Sequence, residues 1–256
     1  MIASDVAVVV EDDADVRNLL SAALLQSGFE VHIASAGREG VDVVRDQQAD
    51  LVILDVGLPD IDGLEVLRRI RQFSNAYVVM VTGRTEEPDL LTALHAGADD
   101  YITKPFRPRE MRARIAAMMR RPRRQDSGDH PDPAHQAPSD QRDDSVFRHN
   151  GLTLNYKRRT ADVDGAPIEL TRSEFDLLHE LLQGGGEVLS RTQLVRVVRG
   201  EHYPHDTYIS ESDERAVEVH LGNLRRKLRE NPASPRWLQT VRGVGYRLAA
   251  ERSEWM

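Results

Sequence analysis

Hydrophobic and polar positions follow two alternating patterns over the first half of the chain. Runs of consecutive apolar residues, typical of strands buried on both faces of a sheet, alternate with segments whose apolar residues recur every three or four positions. We predict strands over 5–10, 29–34, 50–55, 76–81 and 99–103, and helices over 14–27, 37–47, 63–73, 88–96 and 108–120. Five strand–helix units predict an α/β fold, a doubly wound five-stranded parallel sheet covered by helices on both faces.

The pattern changes over 122–145. This segment contains four prolines and six acidic residues but almost no large apolar side chain, a composition typical of a disordered linker. A random coil of this length spans about 27 Å, so we expect the flanking domains to orient independently. We therefore assign the first domain to 1–121, the linker to 122–145, the second domain to 146–250 and a tail to 251–256.

The second domain combines short strands with three helices, the α+β class. Strands are predicted over 146–149, 151–155, 158–163 and 166–169, followed by a hairpin over 237–241 and 245–249. A capping box formed by Thr171 and Glu174 starts a helix over 172–183. A second, formed by Ser190 and Gln193, starts a helix that runs to about Val198. A polar loop over 200–212 precedes a third helix over about 213–230.

Composition narrows the class of protein. The 256-residue chain has a net charge of −8 and no cysteine, which excludes disulfides and thiolate chemistry. It has neither the run of about 20 apolar residues that a membrane span needs nor a signal sequence, so we expect a cytoplasmic protein with no membrane partner. The segment from Arg215 to Arg229, however, contains five basic residues and one acidic residue, a basic stripe compatible with nucleic-acid binding.

Acidic side chains follow two of the predicted strands in the first domain. Glu11 and Asp12 come after the first strand, Asp55 ends the third, Thr82 follows the fourth and Lys104 follows the fifth. The carboxyl ends of parallel strands share one edge, so these groups should meet. Three clustered carboxylates need either protons or a cation, and among cations oxygen ligands favour Mg²⁺.

This cluster suits phosphoryl transfer, with Asp55 as the nucleophile, Mg²⁺ and Lys104 neutralising the phosphoryl oxygens, and Thr82 bonded to one of them. Taken alone, each of the acids and Thr82 is more simply explained as a turn former or part of a helix N-terminus, and Lys104 alone carries almost no information. Their recurrence at successive strand ends favours the joint site.

Five segments of the first domain resemble the receiver domain of response regulators: Val8–Asp13, Leu54–Pro59, Asp62–Gly63, Val81–Gly83 and Gly97–Phe106. The resemblance implies a flavodoxin-like fold with Asp55 as phosphoacceptor. It implies that Mg²⁺ is bound by Glu11, Asp12, Asp55 and the Gly57 carbonyl. Thr82 and Lys104 would then sense the phosphoryl group, and Tyr101 would be an aromatic switch that turns inward when Thr82 moves.

The third helix of the second domain has an apolar stripe and a polar surface. Val217, Leu221, Leu224 and Leu228 recur at helical spacing and should pack inward. The polar surface could enter a DNA major groove, which is wide enough for a helix, although a solvated charged face is the simpler explanation of such a helix taken alone.

Segments of the second domain resemble the winged-helix effector domain of the OmpR/PhoB family: Leu170–Leu178, Val188–Leu194, Arg215–Leu221, Leu224–Leu228 and Thr240–Arg247. The resemblance implies a winged helix-turn-helix fold. It also implies DNA contacts from the third helix and the wing, made by Arg215, His220, Asn223, Arg225, Arg226, Thr240, Arg242 and Tyr246.

Together the resemblances imply a phosphorylation-dependent, sequence-specific DNA-binding transcriptional regulator of a two-component system. A sensor histidine kinase would phosphorylate Asp55, and the receiver would then form a homodimer on repeated half-sites of double-stranded DNA. The dimer interface would comprise Asp99, Asp100, Glu110, Arg114 and Arg121. Relatives often carry a basic residue at the position of Leu90, where it would pair with Glu110, so we expect weak dimerisation of the unphosphorylated chain. RNA polymerase is a further candidate partner, through the 200–212 loop.

Two other functions fit parts of the pattern. The chain could bind DNA constitutively and use its receiver only to dimerise, in which case phosphate would not change its DNA affinity. It could instead be a phosphatase or phosphotransferase acting on small substrates. We expect no enzymatic activity beyond self-phosphorylation and autodephosphorylation of Asp55.

Overall fold

The first domain is built on a single parallel sheet. The computed structural model describes residues 5–83, 87–106, 111, 145–199, 209–231 and 233–251, and for 87–89 only the backbone. The strands are β1 (Val6–Val10), β2 (Glu30–Ala34), β3 (Leu51–Asp55), β4 (Tyr77–Thr82) and β5 (Asp100–Thr103). All pair in parallel in the order β2-β1-β3-β4-β5, which confirms the predicted fold class.

Helices cover both faces of this sheet. They are α1 (Ala14–Gln26), α2 (Gly37–Asp46), α3 (Gly63–Ile70) and α4 (Glu87–His95). The α3 helix ends at Ile70, before the predicted residue 73, and the chain continues in turns in which the N–H groups of Gln72 and Phe73 donate to the carbonyls of Arg69 and Ile70. The Arg71 side chain donates to the carbonyls of Ala76 and Gly97, at 2.6 and 2.9 Å. The helix predicted over 108–120 lies outside the described residues, apart from Met111.

Alternate residues of each strand enter two separate cores, as expected for a period of two. Val8, Leu54 and Met80 pack with α2, α3 and α4 on one face. Val9 and Ile53 pack with α1 on the other. Two-sided burial is the physical reason why these strands consist of continuous apolar runs.

The second domain follows the predicted α+β pattern. Its elements are β6 (Val146–His149), β7 (Leu152–Asn155), β8 (Thr160–Val163), β9 (Ala166–Ile168), α5 (Arg172–Gln183), β10 (Leu189–Ser190), α6 (Arg191–Arg199), α7 (Glu211–Lys227), β11 (Leu238–Val241) and β12 (Gly245–Leu248). The strands β6 to β9 form an antiparallel sheet, and β11 and β12 form the hairpin of the wing, with β10 beside β12.

Both predicted capping boxes are present, at Thr171 with Glu174 and at Ser190 with Gln193. A third, between Ser210 and Asp213, starts α7 two residues earlier than predicted. Within the described ranges, no helix combines the length and apolar character needed to cross a lipid bilayer.

The two domains pack against each other, which differs from the expected independent orientation. Val219 of α7 is buried in the same cluster as Leu94 and Ala98 of the first domain. Residues 122–144 of the predicted linker lie outside the described ranges. The physical reason for the difference is the composition of α7, which carries a second packing face that the linker composition does not reveal.

Candidate functional site

Three carboxylates meet at the carboxyl edge of the parallel sheet. In β1 and β3, Val10 lies opposite Leu54, so the acids that follow or end these strands are neighbours. Oxygen atoms of Glu11, Asp12 and Asp55 all lie within 4.8 Å of one another, and Glu11 is only 1% exposed. The structure therefore brings together the three acids that the sequence placed at separate strand ends.

The Lys104 ammonium bridges two of these acids. Its Nζ lies 2.8 Å from Glu11 Oε2 and 3.2 Å from Asp55 Oδ1, and donates to Glu11 Oε1 at 2.9 Å. The backbone N–H of Lys104 donates to the Thr82 carbonyl at 2.7 Å, which ties the loop after β5 to the end of β4. The peptide bond between Lys104 and Pro105 is cis.

Electrostatics in this cluster favours an additional cation. Burial raises the pKa of the Glu11 carboxyl, and the charge of Asp55 raises it further, although the hydrogen bond from Lys104 opposes both. Burial alone would lower the pKa of Lys104, but the hydrogen bond to Glu11 and the charges of Asp55 and Glu11 outweigh it and raise that pKa. The raised pKa of Lys104 is the shift expected beside negative charge, whereas that of Glu11 is due first to burial and then to the Asp55 carboxylate.

The donor set fits a hard divalent cation. Carboxylate oxygens are the ligands that such ions take. The buried Glu11 Oε2 has the Lys104 ammonium 2.8 Å away, and the second lone pair of this carboxylate oxygen leaves it able to bind an ion as well. The cluster could bind a metal, and Asp12 supplies an exposed carboxylate at its rim.

Two features hold the loop between β1 and α1, and the first was not predicted. Arg17 Nη1 donates to the carbonyls of Glu11 and Asp12, at 2.7 and 3.0 Å. Asp13 caps α1 by accepting from the N–H groups of Asp15 and Val16, and these bonds lower its pKa. An arginine six residues after Glu11 and five after Asp12 is the sequence signal for the first contact.

Two glycines approach Asp55. A Cβ on Gly63 would lie 2.2 Å from the Asp55 carbonyl oxygen, so no side chain fits there. A Cβ on Gly57 would lie 3.6 Å from Asp55 Oδ2, an ordinary contact. The structure thus places Gly57 beside the carboxylate, and the role of its carbonyl as a metal ligand stays a prediction.

Thr82 and Tyr101 lie on either side of a small cavity. Thr82 is buried at the end of β4, and Tyr101 is half-buried on β5. The cavity between them measures about 20 Å³ and is also lined by Leu90 and Ala93 of α4. It holds about one water, so a tyrosine ring can enter only if α4 adjusts. Leu90, expected at an exposed dimer face, is 8% exposed and packs here.

The third helix of the second domain, α7, packs as predicted on its apolar stripe. Val217, Leu221, Leu224 and Leu228 are all buried in the core of that domain. Of the residues predicted to contact DNA, four are exposed in the structure: Arg215, Arg226, Thr240 and Arg242. Their roles stay predictions.

Arg225 links α7 to the wing. It donates to Thr240 Oγ1 and to the Leu238 carbonyl, at 2.7 and 3.1 Å, and its guanidinium lies 5.7 Å from the centre of the buried Tyr246 ring. In this structure, Arg225 and Tyr246 therefore hold the wing against the helix.

His220 and Asn223 are placed differently from the expected DNA-facing surface. They are 1% and 2% exposed because the receiver covers them. Asp99, predicted to pair across a dimer, is buried and pairs within its own domain with Arg71 at 2.7 Å. Asp100 is also buried, while Glu110, Arg114 and Arg121 lie outside the described residues.

Comparison with known proteins covers both domains. A family model described as response regulator receiver domain matches residues 7–116, and one described as transcriptional regulatory protein, C terminal, matches residues 165–248. The transcriptional regulatory protein AfsQ1 of Streptomyces coelicolor is 37% identical over 240 residues, 94% of this chain and 96% of the relative. The chain belongs to the OmpR/PhoB family of response regulators.

Other members of the OmpR/PhoB family are similarly related. The sensory transduction protein RegX3 of Mycolicibacterium smegmatis is 37% identical over 240 residues, 94% of this chain and 97% of the relative. CpxR of Escherichia coli K12 is 37% identical over 242 residues, which are 93% of this chain and 95% of the relative. A solved structure of a RitR mutant shares the fold, with a TM-score of 0.70 and 22% sequence identity. The match covers 96% of this chain and 99% of the RitR chain. As an OmpR/PhoB response regulator, the chain is a phosphorylation-dependent transcription regulator with a receiver and a DNA-binding domain.

Proposed function

We propose that a partner sensor histidine kinase phosphorylates Asp55, and that this shifts the chain toward a homodimer that binds repeated half-sites in double-stranded DNA. The observation that carries the proposal is the position of Lys104, whose Nζ lies 2.8 and 3.2 Å from oxygens of Glu11 and Asp55. An ammonium between an acid pair and a strand-end aspartate is suited to holding a transferred phosphoryl group.

In this reaction an oxygen of Asp55 attacks the phosphorus of a phosphohistidine. The new O–P bond forms as the P–N bond breaks, and the imidazole keeps the bonding electrons and takes a proton from solvent. Lys104 neutralises developing charge on the phosphoryl oxygens, and the Thr82 hydroxyl donates to one of them. The result is an acyl phosphate in the place that the Lys104–Asp55 ion pair now occupies.

Glu11, Asp12, Asp55 and the Gly57 carbonyl would hold Mg²⁺. When bound, the ion supplies charge neutralisation for the incoming phosphate. The excess negative charge around Glu11 and Lys104 supports this assignment. Self-phosphorylation and autodephosphorylation of Asp55 are the only reactions that we assign to the chain, because its second domain is suited to binding rather than to turnover.

The exposed basic side chains of the second domain would contact the phosphate backbone and the base edges of DNA. Arg215 and Arg226 lie on α7 and Arg242 on the wing. About five phosphate contacts predict a log–log salt slope near −4.5 for the observed binding constant. RNA polymerase remains a candidate partner through 200–212, of which 200–208 lie outside the described residues.

Labelling by acetyl phosphate tests the phosphoacceptor. We expect the full chain with Mg²⁺ to form one acyl phosphate, resolved by phosphate-affinity electrophoresis, and Asp55→Asn to form none. Asp42→Asn is the matched control, because its side chain is 70% exposed and lies on α2. Normal labelling of Asp55→Asn would refute the site assignment.

A further inference from the structure

The loop that joins β3 to α3, residues 56–62, contains Gly57, whose carbonyl is a predicted ligand of Mg²⁺. Both ends of this loop are held by backbone hydrogen bonds. The Val56 N–H donates to the Val81 carbonyl of β4 at 3.1 Å, and the Gly63 N–H at the start of α3 donates to the Val56 carbonyl at 3.0 Å. The position of the Gly57 carbonyl therefore depends on what fixes the middle of the loop.

Asp60, in the middle of this loop, is bonded to the start of α2. Its Oδ1 accepts from the Gly37 N–H at 2.6 Å, and its Oδ2 accepts from the Arg38 N–H at 3.0 Å. Within the part of the chain that the structure describes, no other hydrogen bond joins residues 57–61 to a helix or a strand. The Asp60 carboxylate is thus the polar link between the loop and α2.

The α2 helix depends on this acid for its cap. Its N-cap residue, Ala36, has an extended backbone and no side chain that accepts a hydrogen bond. The first N–H groups of a helix lack partners within the helix and favour negative charge. The bond from the Arg38 N–H, followed by the bond from the Gly37 N–H, lowers the pKa of the Asp60 carboxyl, although desolvation opposes them. The capping group therefore comes from a residue 23 positions after Gly37, on another element.

The loop also packs closely on α2. A Cβ on Gly37 would lie 2.6 Å from Ile61 Cγ1 and 2.7 Å from Val66 Cγ2, so a side chain there would displace the loop or α3. Ile61 packs against the core cluster that contains Val41 and Val66. Apolar burial holds the two elements together but is non-directional, whereas a carboxylate bonded to two successive N–H groups fixes where the loop lies.

We propose that Asp60 is a positioning residue for phosphoryl transfer, because by tying the β3–α3 loop to α2 it places the Gly57 carbonyl for Mg²⁺. A Cβ on Gly57 would lie 3.6 Å from Asp55 Oδ2, so this part of the loop lies beside the phosphoacceptor carboxylate. Asp60 acts through the loop backbone, since its own oxygens are bonded to α2. This inference rests on the proposed function and adds a residue outside the cluster of acids.

The Mg²⁺ affinity of the unphosphorylated full chain, measured by isothermal titration calorimetry, tests the proposal. Residues that orient a metal ligand typically contribute about 10- to 100-fold to affinity, and Asp60 orients only one backbone ligand among several. We therefore expect Asp60→Ala to bind Mg²⁺ about three- to tenfold more weakly than wild type. Asp60→Asn keeps an oxygen that can accept from α2 and should recover most of this loss. Equal losses in Asp60→Asn and Asp60→Ala would assign the effect to charge and overturn the proposal.

Glu39→Ala is the matched control. Glu39 Oε2 accepts from the Ser35 N–H at 2.9 Å, so this variant also removes one acid and one bond between a carboxylate and an N–H at the start of α2. It leaves the contact between Asp60 and the helix in place. We expect its Mg²⁺ affinity to stay within about twofold of wild type. A loss as large as that of Asp60→Ala would show that fraying of α2 is sufficient, and would overturn the proposal.

A relocated cap separates the link to the loop from the stability of α2. Ala36→Asp combined with Asp60→Ala restores the net charge and gives α2 a local N-cap, whose side chain can accept from the N–H groups of Arg38 or Glu39. We expect this double variant to regain the thermal stability lost in Asp60→Ala and yet to bind Mg²⁺ as weakly as Asp60→Ala does. Recovery of wild-type Mg²⁺ affinity would refute the positioning role.

Labelling by acetyl phosphate at different Mg²⁺ concentrations separates positioning from damage to the site. In Asp60→Ala, the Mg²⁺ concentration that gives half of the maximal labelling rate should rise about three- to tenfold. The rate at saturating Mg²⁺ should stay within about twofold of wild type, because the loop is then held in its bound position. A lower rate at saturating Mg²⁺ with an unchanged half-saturation point would overturn the proposal.

The wild-type samples show which conclusion fails. If wild type binds Mg²⁺ and is labelled on Asp55 but Asp60→Ala behaves identically, only the role of Asp60 is overturned. If wild type is not labelled on Asp55, the proposed function is overturned together with this inference.

Discussion

Two buried aspartates of the receiver, Asp99 and Asp55, differ in how their charge is balanced. Asp99 accepts from a guanidinium and from two backbone N–H groups, so both of its oxygens are satisfied. Asp55 shares one ammonium with Glu11 and lies beside Asp12. Burial is similar, but one carboxylate is a structural anchor and the other belongs to a site with excess negative charge. The balance of donors, rather than burial, separates the structural carboxylate from the proposed phosphoacceptor.

Removing the charge of the anchor should have the largest effect. Asp99→Asn leaves Arg71 in a mostly buried position without its carboxylate, and breaking such a pair costs about 3 kcal/mol. We expect that loss in the free energy of unfolding, measured by urea denaturation of the full chain. Asp42→Asn should stay within about 0.5 kcal/mol of wild type. A similarly small change for Asp99→Asn would contradict the distinction between the two aspartates.

The site proposed for phosphoryl transfer should bind Mg²⁺ more tightly when the Lys104 ammonium is removed. Lys104→Gln leaves three carboxylates without the ammonium, so we expect Mg²⁺ to bind at least about tenfold more tightly, which corresponds to about 1.4 kcal/mol. Isothermal titration calorimetry measures the affinity, and Lys157→Gln, at an exposed position of the second domain, is the control. Weaker Mg²⁺ binding by Lys104→Gln would show that the site has no excess of negative charge.

Lowering the pH should weaken the contact between α7 and the receiver, next to Asp99, and favour an open chain in which the two domains are apart over the closed form seen in the structure. Burial lowers the pKa of His220, and the charges of Asp99, Glu174 and Asp100 oppose this shift. In the open chain the pKa should be near 6.5. The closed form therefore binds fewer protons, and its stability relative to the open form is complete above about pH 6.5 and falls below it, by up to about tenfold per pH unit.

Small-angle scattering of the unphosphorylated chain between pH 8 and 5.5 should show this expansion. His220→Gln lacks the titrating group and should remove the pH-dependent part of the change. An equal expansion of His220→Gln would assign the opening to other groups.

The smallest expected effect concerns the loop that carries the reactive acids. Arg17→Gln removes the guanidinium that bonds the carbonyls of Glu11 and Asp12, and one such bond contributes about 1 kcal/mol. We expect Mg²⁺ affinity to fall by about three- to fivefold in the same calorimetric assay. Arg38→Gln, an exposed arginine on α2, should leave it unchanged. An unaltered affinity in Arg17→Gln would show that the loop is ordered without this arginine.

Local patterns predicted most of the fold and the cluster of acids. Continuous apolar runs identified the strands, and the shared carboxyl edge brought Glu11, Asp55 and Lys104 together, because parallel pairing fixes where strand ends lie. The second packing face of α7, which contacts the receiver, was not predicted, for a definite reason. Val219 is its only large apolar residue, and His220 and Asn223 read as a polar surface until their receiver partners are known.

The sequence by itself determined the elements, the fold class and the residue types at the strand ends, because backbone periodicity and strand direction are local properties. Only the tertiary structure decided that Asp99 bonds Ser173, that Arg17 holds the acidic loop, and that α7 faces the receiver. Each of these hydrogen bonds involves a side chain that could also hydrogen-bond to water. Which partner it takes therefore depends on how the helices and the two domains pack.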